Sequence, residues 1–325
     1  MQDLGGMMER TSRHLVVILG LAVSCASAPA ETLKLAVGIP GNWDTCIPDV
    51  GQRAGIFRRH GLDLDIVYTN GGGETLQATI SGSVDIGIAA GTASVFGAFQ
   101  KGAPIRIIAS GVTGASDLYW YVPAASPIRS IKDTGGKTVA FSTVGGGTNI
   151  VLMAMLKQNG ITDAKPVGTG ASGGTFTQVM SGQIDVGWGS PPFGLEALGQ
   201  GKIRIIARGS DVPVTANQTV RVHIVNERAL VERRDAIARF VQAYRETYDY
   251  LYDDPAGVKT FAQYSPIPEA LAIEIRDTFL PKPAMSPYVV SGIDALTADA
   301  IAFKFMREPL SQGQIDELIR IPSRR

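Results

Sequence analysis

An α/β fold of two similar lobes, each a mainly parallel sheet flanked by helices, with two hinge strands between them, is predicted by three observations. A phrase occurs twice: Ser81–Gly87 reads SGSVDIG, and Ser181–Gly187, 100 residues on, reads SGQIDVG with Val and Ile exchanged at two places. Each copy is followed by the run IRIIA, at Ile105–Ala109 and Ile203–Ala207. Strand-like and helix-like segments alternate around both copies. A duplicated unit implies two lobes, and the space between similar lobes is a natural place to hold a ligand.

The 325 residues suit about two domains, and 45% hydrophobic with 18% charged residues provides for packed cores. The formal net charge is zero, and no segment gathers the Lys/Arg cluster that a nucleic-acid or membrane-surface binder needs. Residues 1–30 read as a signal peptide: Arg10 and Arg13, the apolar stretch Leu15–Val23, then Ala28-Pro29-Ala30 in A-x-A spacing. Cys25 weakly resembles a lipoprotein cleavage site, but Ala22 fits its third preceding position poorly, so a soluble exported, periplasmic protein is the better reading. Asp3 and Glu9 leave with Arg10 and Arg13, so the net charge stays at zero. Only Cys46 then remains, which permits no internal disulfide. No later run is apolar enough to span a bilayer.

In chain order, Leu33–Val37 is strand-like and ends in the loop Gly38–Asp44; Asp49–His60 reads as a helix stopped by Gly61. Leu62–Tyr68 alternates as a second strand, and Asn70–Gly73 is a loop before the helix Glu74–Ile80. Val84–Ile88 is a third strand, Thr92–Gln100 a helix and Ile105–Ala109 a fourth strand. The order repeats: strand Thr138–Phe141, Gly-rich loop Ser142–Gly147, helix Thr148–Gln158, strand Lys165–Val167, a second Gly-rich loop and helix Phe176–Met180. Leu118–Val122 and Val220–Val225 sit at the seams and read as the hinge strands. Two crossings divide the mature chain into lobe 1, residues 31–118 with 222–325, and lobe 2, residues 119–221. The rest is helical, with Ile237, Phe240, Val241, Tyr244, Tyr248 and Leu251 on one apolar face.

Three segments carry a resemblance: Ala54–Val67 (AGIFRRHGLDLDIV), the Ser81–Gly87 phrase, and Gly135–Phe141 (GGKTVAF) leading into the Gly-rich helix start. With the leader, the chain resembles the exported substrate-binding proteins of ABC importers: periplasmic binding proteins of type II fold, in the nitrate/sulfonate/taurine and thiamine-precursor branch. The resemblance implies a non-enzymatic, monomeric clamp, without cofactor. It would capture a small-molecule ligand, organic or oxyanionic, and deliver it to an ABC permease with its ATPase. Such proteins bind ligand on loops at the carboxyl ends of strands. Mapped onto this chain, those loops place Asn42, Trp43 and Asp44; Gly72, Gly73, Glu74 and Thr75; Gly91 and Thr92; Ser142, Gly146, Gly147, Thr148 and Asn149; and Ser190 and Pro191 at the ligand.

The physics of these loops agrees. Open α/β sheets bind ligands at strand carboxyl ends. Thr75, Thr92, Thr148 and Ser190 stand at or near predicted helix starts, where free N–H groups suit a polar head, although such residues also serve simply as caps. The glycines permit close backbone approach to a ligand. Trp43 offers either an apolar wall or a core residue. None of the loops contains Lys or Arg, whereas Asp44 and Glu74 are acidic; an oxyanion would have to rely on N–H and hydroxyl groups, which is feasible and leaves room for a neutral or cationic ligand. The duplicated Asp85 and Asp185 lie at strand starts, away from the cleft, and read as caps for backbone N–H groups.

Other motifs point elsewhere. Gly170-Ala171-Ser172-Gly173-Gly174 fits G-x-S-x-G, but the only later histidine is His223, inside a strand; an exported serine hydrolase using Ser172 and His223 is the alternative enzyme reading. Gly168–Gly173 fits G-x-G-x-x-G without its acidic partner. Gly136-Lys137-Thr138 is followed by a strand, not the helix a phosphate loop requires. His60, His223 and Cys46 are too scattered for a metal site. The family's pyrimidine-forming enzymatic relatives carry a cysteine-rich motif that this chain does not have. A ligand-sensing receptor subunit is the further alternative.

Overall fold

The computed structural model describes residues 30–323. The leader reading of residues 1–30, and Cys25 with it, lies outside these residues except for Ala30. Ten strands form: β1 (Glu31–Gly38), β2 (Leu62–Thr69), β3 (Ile86–Gly91), β4 (Ile105–Thr113), β5 (Tyr119–Pro123), β6 (Thr138–Phe141), β7 (Lys165–Gly168), β8 (Gly187–Gly189), β9 (Ile203–Arg208) and β10 (Thr219–Asn226).

Alternation builds the first sheet. Leu33, Leu35 and Val37 of β1 are fully buried, and β2 buries Leu62 and Leu64 while Asp65 faces out. The strand order is β2-β1-β3-β10-β4. β1 runs parallel to β2 and β3, and β10 runs antiparallel to β3 and β4. The second sheet repeats this plan. β6 and β7 are parallel, β5 is antiparallel to β8 and β9, and a parallel bridge between Val139 and Val186 joins the two groups in the order β7-β6-β8-β5-β9. In each sheet one strand is therefore reversed among four that share a direction, and the reversed strand is the seam strand, β10 or β5.

The chain crosses between sheets in residues 114–118 and 209–218, which precede those two strands. The crossings run side by side: Gly114 N–H donates to Gln218 O at 2.9 Å and Gly209 N–H to Leu118 O at 2.8 Å. A Cβ on Gly209 would lie 2.2 Å from Ala115 O, so only glycine permits this approach.

The duplication persists in its hydrogen bonds. Asp85 Oδ2 accepts Lys34 N–H at 2.9 Å, midway along β1, and Asp185 Oδ2 accepts Thr138 N–H at 2.8 Å, at the start of β6, each holding the neighbouring strand. The hydroxyls of Thr69 and Thr75 meet at 2.8 Å, and those of Thr169 and Thr175 at 2.6 Å.

The helix expected over Asp49–His60 is broken in two, Ile47–Arg53 and Ile56–Arg59, because Gly55 takes the left-handed conformation with φ 70°. The long helix Arg234–Asp253 buries Ile237, Phe240, Val241, Tyr244, Tyr248 and Leu251, the face its spacing predicts. Phe240 stacks on Phe57 at 5.5 Å, and burial of each such ring contributes about 2–3 kcal/mol. Among the described residues no helix is long and apolar enough to cross a membrane, and no group of His, Cys, Asp and Glu is arranged to hold a metal ion.

Candidate ligand site

Four strands of each sheet point their carboxyl ends toward the seam, so the loops after β1, β2, β3, β6 and β8 converge there. They line a chamber of about 40 Å³, bounded by residues of both sheets and by Asp117 and Leu118 of the first crossing. Roughly 10–15 Å³ holds one water, so the chamber accommodates a group of a few heavy atoms.

Three buried charges form one wall. Arg221, near the start of β10, is 5% exposed, Asp44 6% and Asp117 fully buried. Arg221 Nη1 lies 2.9 Å from Asp117 Oδ2 and 3.1 Å from Asp44 Oδ2, and Nη2 donates to Asp117 Oδ1 at 3.3 Å. Ser190 Oγ donates to Asp117 Oδ2 at 3.1 Å, which ties the second sheet to the same group. Asp117 is thus bonded at both oxygens. Asp44 is bonded at one, and its Oδ1 has no partner within the protein. Burial pushes the Asp44 carboxyl up to about 6, with Arg221 opposing that rise and Asp117 adding to it. Trp188, 1% exposed, also lines the chamber, and its indole Nε1 likewise has no partner. Ser142 and Thr148 close the second-sheet side, their hydroxyls 2.7 Å apart.

Of the expected site residues, Asn42, Asp44, Gly72, Ser142, Gly147, Thr148 and Ser190 line the chamber. The others do not. Trp43 is turned into the core, edge-on to Phe261 at 4.5 Å, and its Nε1 donates to Tyr252 Oη at 2.9 Å. Glu74 is exposed and binds Asn70 through both carboxylate oxygens. Thr75 donates its hydroxyl to Gly71 O, and Thr92 to Thr219 O. Asn149 Oδ1 accepts Gly145 N–H at 3.0 Å, bracing the Gly-rich loop from within. Gly146 and Pro191 stand outside the chamber wall.

Gly73 and Gly91 owe their small size to the opposite sheet's loop rather than to a ligand. A Cβ on Gly73 would lie 2.2 Å from Val144 O, and one on Gly91 2.1 Å from Gly145 O. The two sides are also bonded there: Gly73 N–H donates to Thr143 Oγ1 at 3.0 Å and Ser94 Oγ to Gly145 O at 2.7 Å. The cleft is therefore bridged on this side.

Arg221, Asp117 and Trp188 were not among the expected residues. The loops do lack a base, as their sequences show, but β10 delivers one from a strand, where register shifts flank Arg221. The available signals were a lone Arg in the apolar run Val220–Val225 and a Trp between two glycines at 187–189.

A second space adjoins the chamber. A groove of about 1590 Å³ runs between the second sheet's helices and the segment 264–274, with Phe176, Phe193, Leu195, Ile267, Pro268 and Leu271 on its walls. Ile39 and Asn42 line both spaces. Ser172 also lines the groove, and its buried Oγ has no partner.

The hydrolase reading fails on His223. Its Nδ1 accepts Ala89 N–H at 3.0 Å, so Nε2 carries the proton toward Tyr244 Oη, 2.6 Å away. Burial holds the ring down at about 3. Both nitrogens are engaged in the core, and neither is a base for Ser172. Cys46 is a buried free thiol, pushed up by burial, and packs as a small apolar residue.

Residues 49–258 match the family described as NMT1/THI5 like. A Brucella abortus protein named as a binding protein is 26% identical over 253 residues, covering 77% of this chain and 76% of that one. The 4-amino-5-hydroxymethyl-2-methylpyrimidine phosphate synthase THI12 of Saccharomyces cerevisiae is 20% identical over 230 residues, 66% of this chain and 65% of its own. Among solved structures, the alkanesulfonate-binding protein SsuA of Xanthomonas axonopodis pv. citri, bound to MOPS, superposes with a TM-score of 0.73 at 21% identity, over 91% of this chain and 100% of that one. At that identity the likeness is one of fold.

Proposed function

The chain belongs to the NMT1/THI5-like family, and from that premise we propose that it is the extracytoplasmic solute-binding component of an ABC importer. It captures a small organic or oxyanionic molecule between two lobes and presents the closed form to a permease with its ATPase. The lobes are residues 31–113 with 219–323, and residues 119–208; the boundary expected at 221/222 would cut β10, all of which pairs in the first sheet. The paired crossings at 114–118 and 209–218 act as the hinge. The protein is a monomer and performs no chemistry on what it binds.

The observation that carries this reading is the chamber itself, whose wall is shared by both sheets and the first crossing, so that a ligand there touches both parts that must move. The binding role in the name of the Brucella relative and the SsuA-like fold support it. The yeast synthase is the relative that argues for chemistry.

Native mass spectrometry of the purified protein, followed by scattering and thermal melts on stripped and reloaded samples, tests the proposal. A bound small molecule that comes off unchanged, shrinks the radius of gyration on return and stabilises by about 4 kcal/mol at a thousandfold excess over Kd is the expected result. Release of a chemically altered molecule, or binding without change of shape, would overturn it.

A further inference from the structure

Resting on that binding reading, we infer that the chamber takes the nitrogenous head of an amphiphilic ligand, neutral or singly cationic, which donates an N–H to Asp44 and accepts one from Trp188. The apolar body of the ligand lies in the adjoining groove.

Charge is the first argument. The charged residues on the chamber wall are Asp44, Asp117 and Arg221. With both carboxylates ionised they sum to one negative charge. The guanidinium is held by both carboxylates, at 2.9 and 3.1 Å, so an oxyanion would have to displace one of them and bring a further negative charge beside two others.

The second argument is satisfaction. Asp44 Oδ1 and Trp188 Nε1 are buried on this wall without a partner in the protein, at 6% and 1% residue exposure. One is an acceptor and the other a donor. A head that carries an N–H and a lone pair answers both; a sulfonate or nitrate offers nothing to Asp44. The third argument is shape. A chamber of about 40 Å³ admits a head and not a body, and the space that adjoins it at Ile39 and Asn42 is walled by Phe176, Phe193, Ile267 and Leu271.

The test is calorimetry with four probes that share a phenylethyl body and differ in head: the primary amide, the amidine, the carboxylate and the sulfonate. The amide, which can engage both groups, and the amidinium, which can donate to Asp44 but has no lone pair for Trp188, should each bind at least tenfold more tightly than either acid. Trp188→Phe should weaken the amide roughly threefold to tenfold, the range for one lost hydrogen bond, and leave the amidinium within about twofold, because the amidinium has no lone pair to accept from Nε1. Asp44→Asn should weaken the amidine more than the amide. Preference for the sulfonate or carboxylate, or binding of none of the four, would overturn the inference. In either case native mass spectrometry still decides whether the protein carries a solute.

Discussion

Asp117 and Arg221 meet at 2.9 Å where the two crossings between the sheets lie side by side. The pair has almost no access to water, with 0% and 5% exposure, and it closes the back of the chamber. A buried pair adds little over an apolar one, but removing a single partner leaves an unpaired charge in the interior. Asp117→Asn and Arg221→Ala should each cost about 3–5 kcal/mol in denaturant unfolding. Losses within the range of a surface substitution, about 0.5 kcal/mol, would mean that water reaches the pair.

Closure rests on glycine. Gly91 has an ordinary backbone conformation, so alanine is tolerated locally, but its Cβ would stand 2.1 Å from Gly145 O across the cleft. Gly91→Ala should therefore keep about the stability of the parent when the cleft is open, fail to reach the closed radius of gyration with ligand, and bind about tenfold more weakly or worse. Normal closure in scattering would show that the Gly-rich loop yields.

Asp44 gives a pH signature. Burial raises its carboxyl from 3.8 to about 6, against Arg221 and with Asp117; Cys46 and Tyr244 also face it. Its folded value exceeds the unfolded one, so its contribution to stability is full below pH 3.8 and is lost as pH rises through about 6. His223 runs the other way. Lowered from 6.5 to about 3, it contributes stability above 6.5 that is lost as pH falls toward 3. Over about pH 4 to 6 the two slopes oppose each other. Asp44→Asn removes only the first, so unfolding of ligand-free protein should fall more steeply toward acid in the variant, by up to about 1.4 kcal/mol per pH unit. Parallel curves for variant and parent would refute this assignment.

What the sequence made legible follows from range. Leu33, Leu35 and Val37 alternate because one face of β1 is core, and that pattern is local. The loops at strand ends follow from it, and with them Asn42, Ser142, Thr148 and Ser190. Trp43 and Trp188 were not distinguishable in this way. Each lies near a ligand loop, but Trp43 turns inward because Phe261, far along the chain, offers it a ring edge, while Trp188 stays at the chamber. Arg221 was hidden for the same reason: its partners, Asp44 and Asp117, come from distant segments that only the assembled crossings bring together.

The duplicated aspartates supply the control. Asp85 and Asp185 stand immediately before β3 and β8 or one residue earlier, at the ends remote from the chamber. Asp185 holds Thr138 through both N–H and hydroxyl, at 2.8 and 2.7 Å; Asp85 holds Lys34 N–H and also pairs with Arg233 at 2.6 Å. Replacing either by alanine leaves the N–H of Lys34 within β1 or of Thr138 at the start of β6 without its acceptor, so each variant should lose about 0.5–1.5 kcal/mol of unfolding free energy. Asp185→Ala tests the backbone contribution most cleanly, since Asp85→Ala also perturbs Arg233, which keeps Glu31 at 2.9 Å. Because neither carboxylate lines the chamber, ligand affinity measured below the melting transition should stay within about twofold of the parent. A tenfold loss of affinity at unchanged stability would instead make the repeated phrase part of the binding machinery, and the chamber wall would have to be redrawn around it.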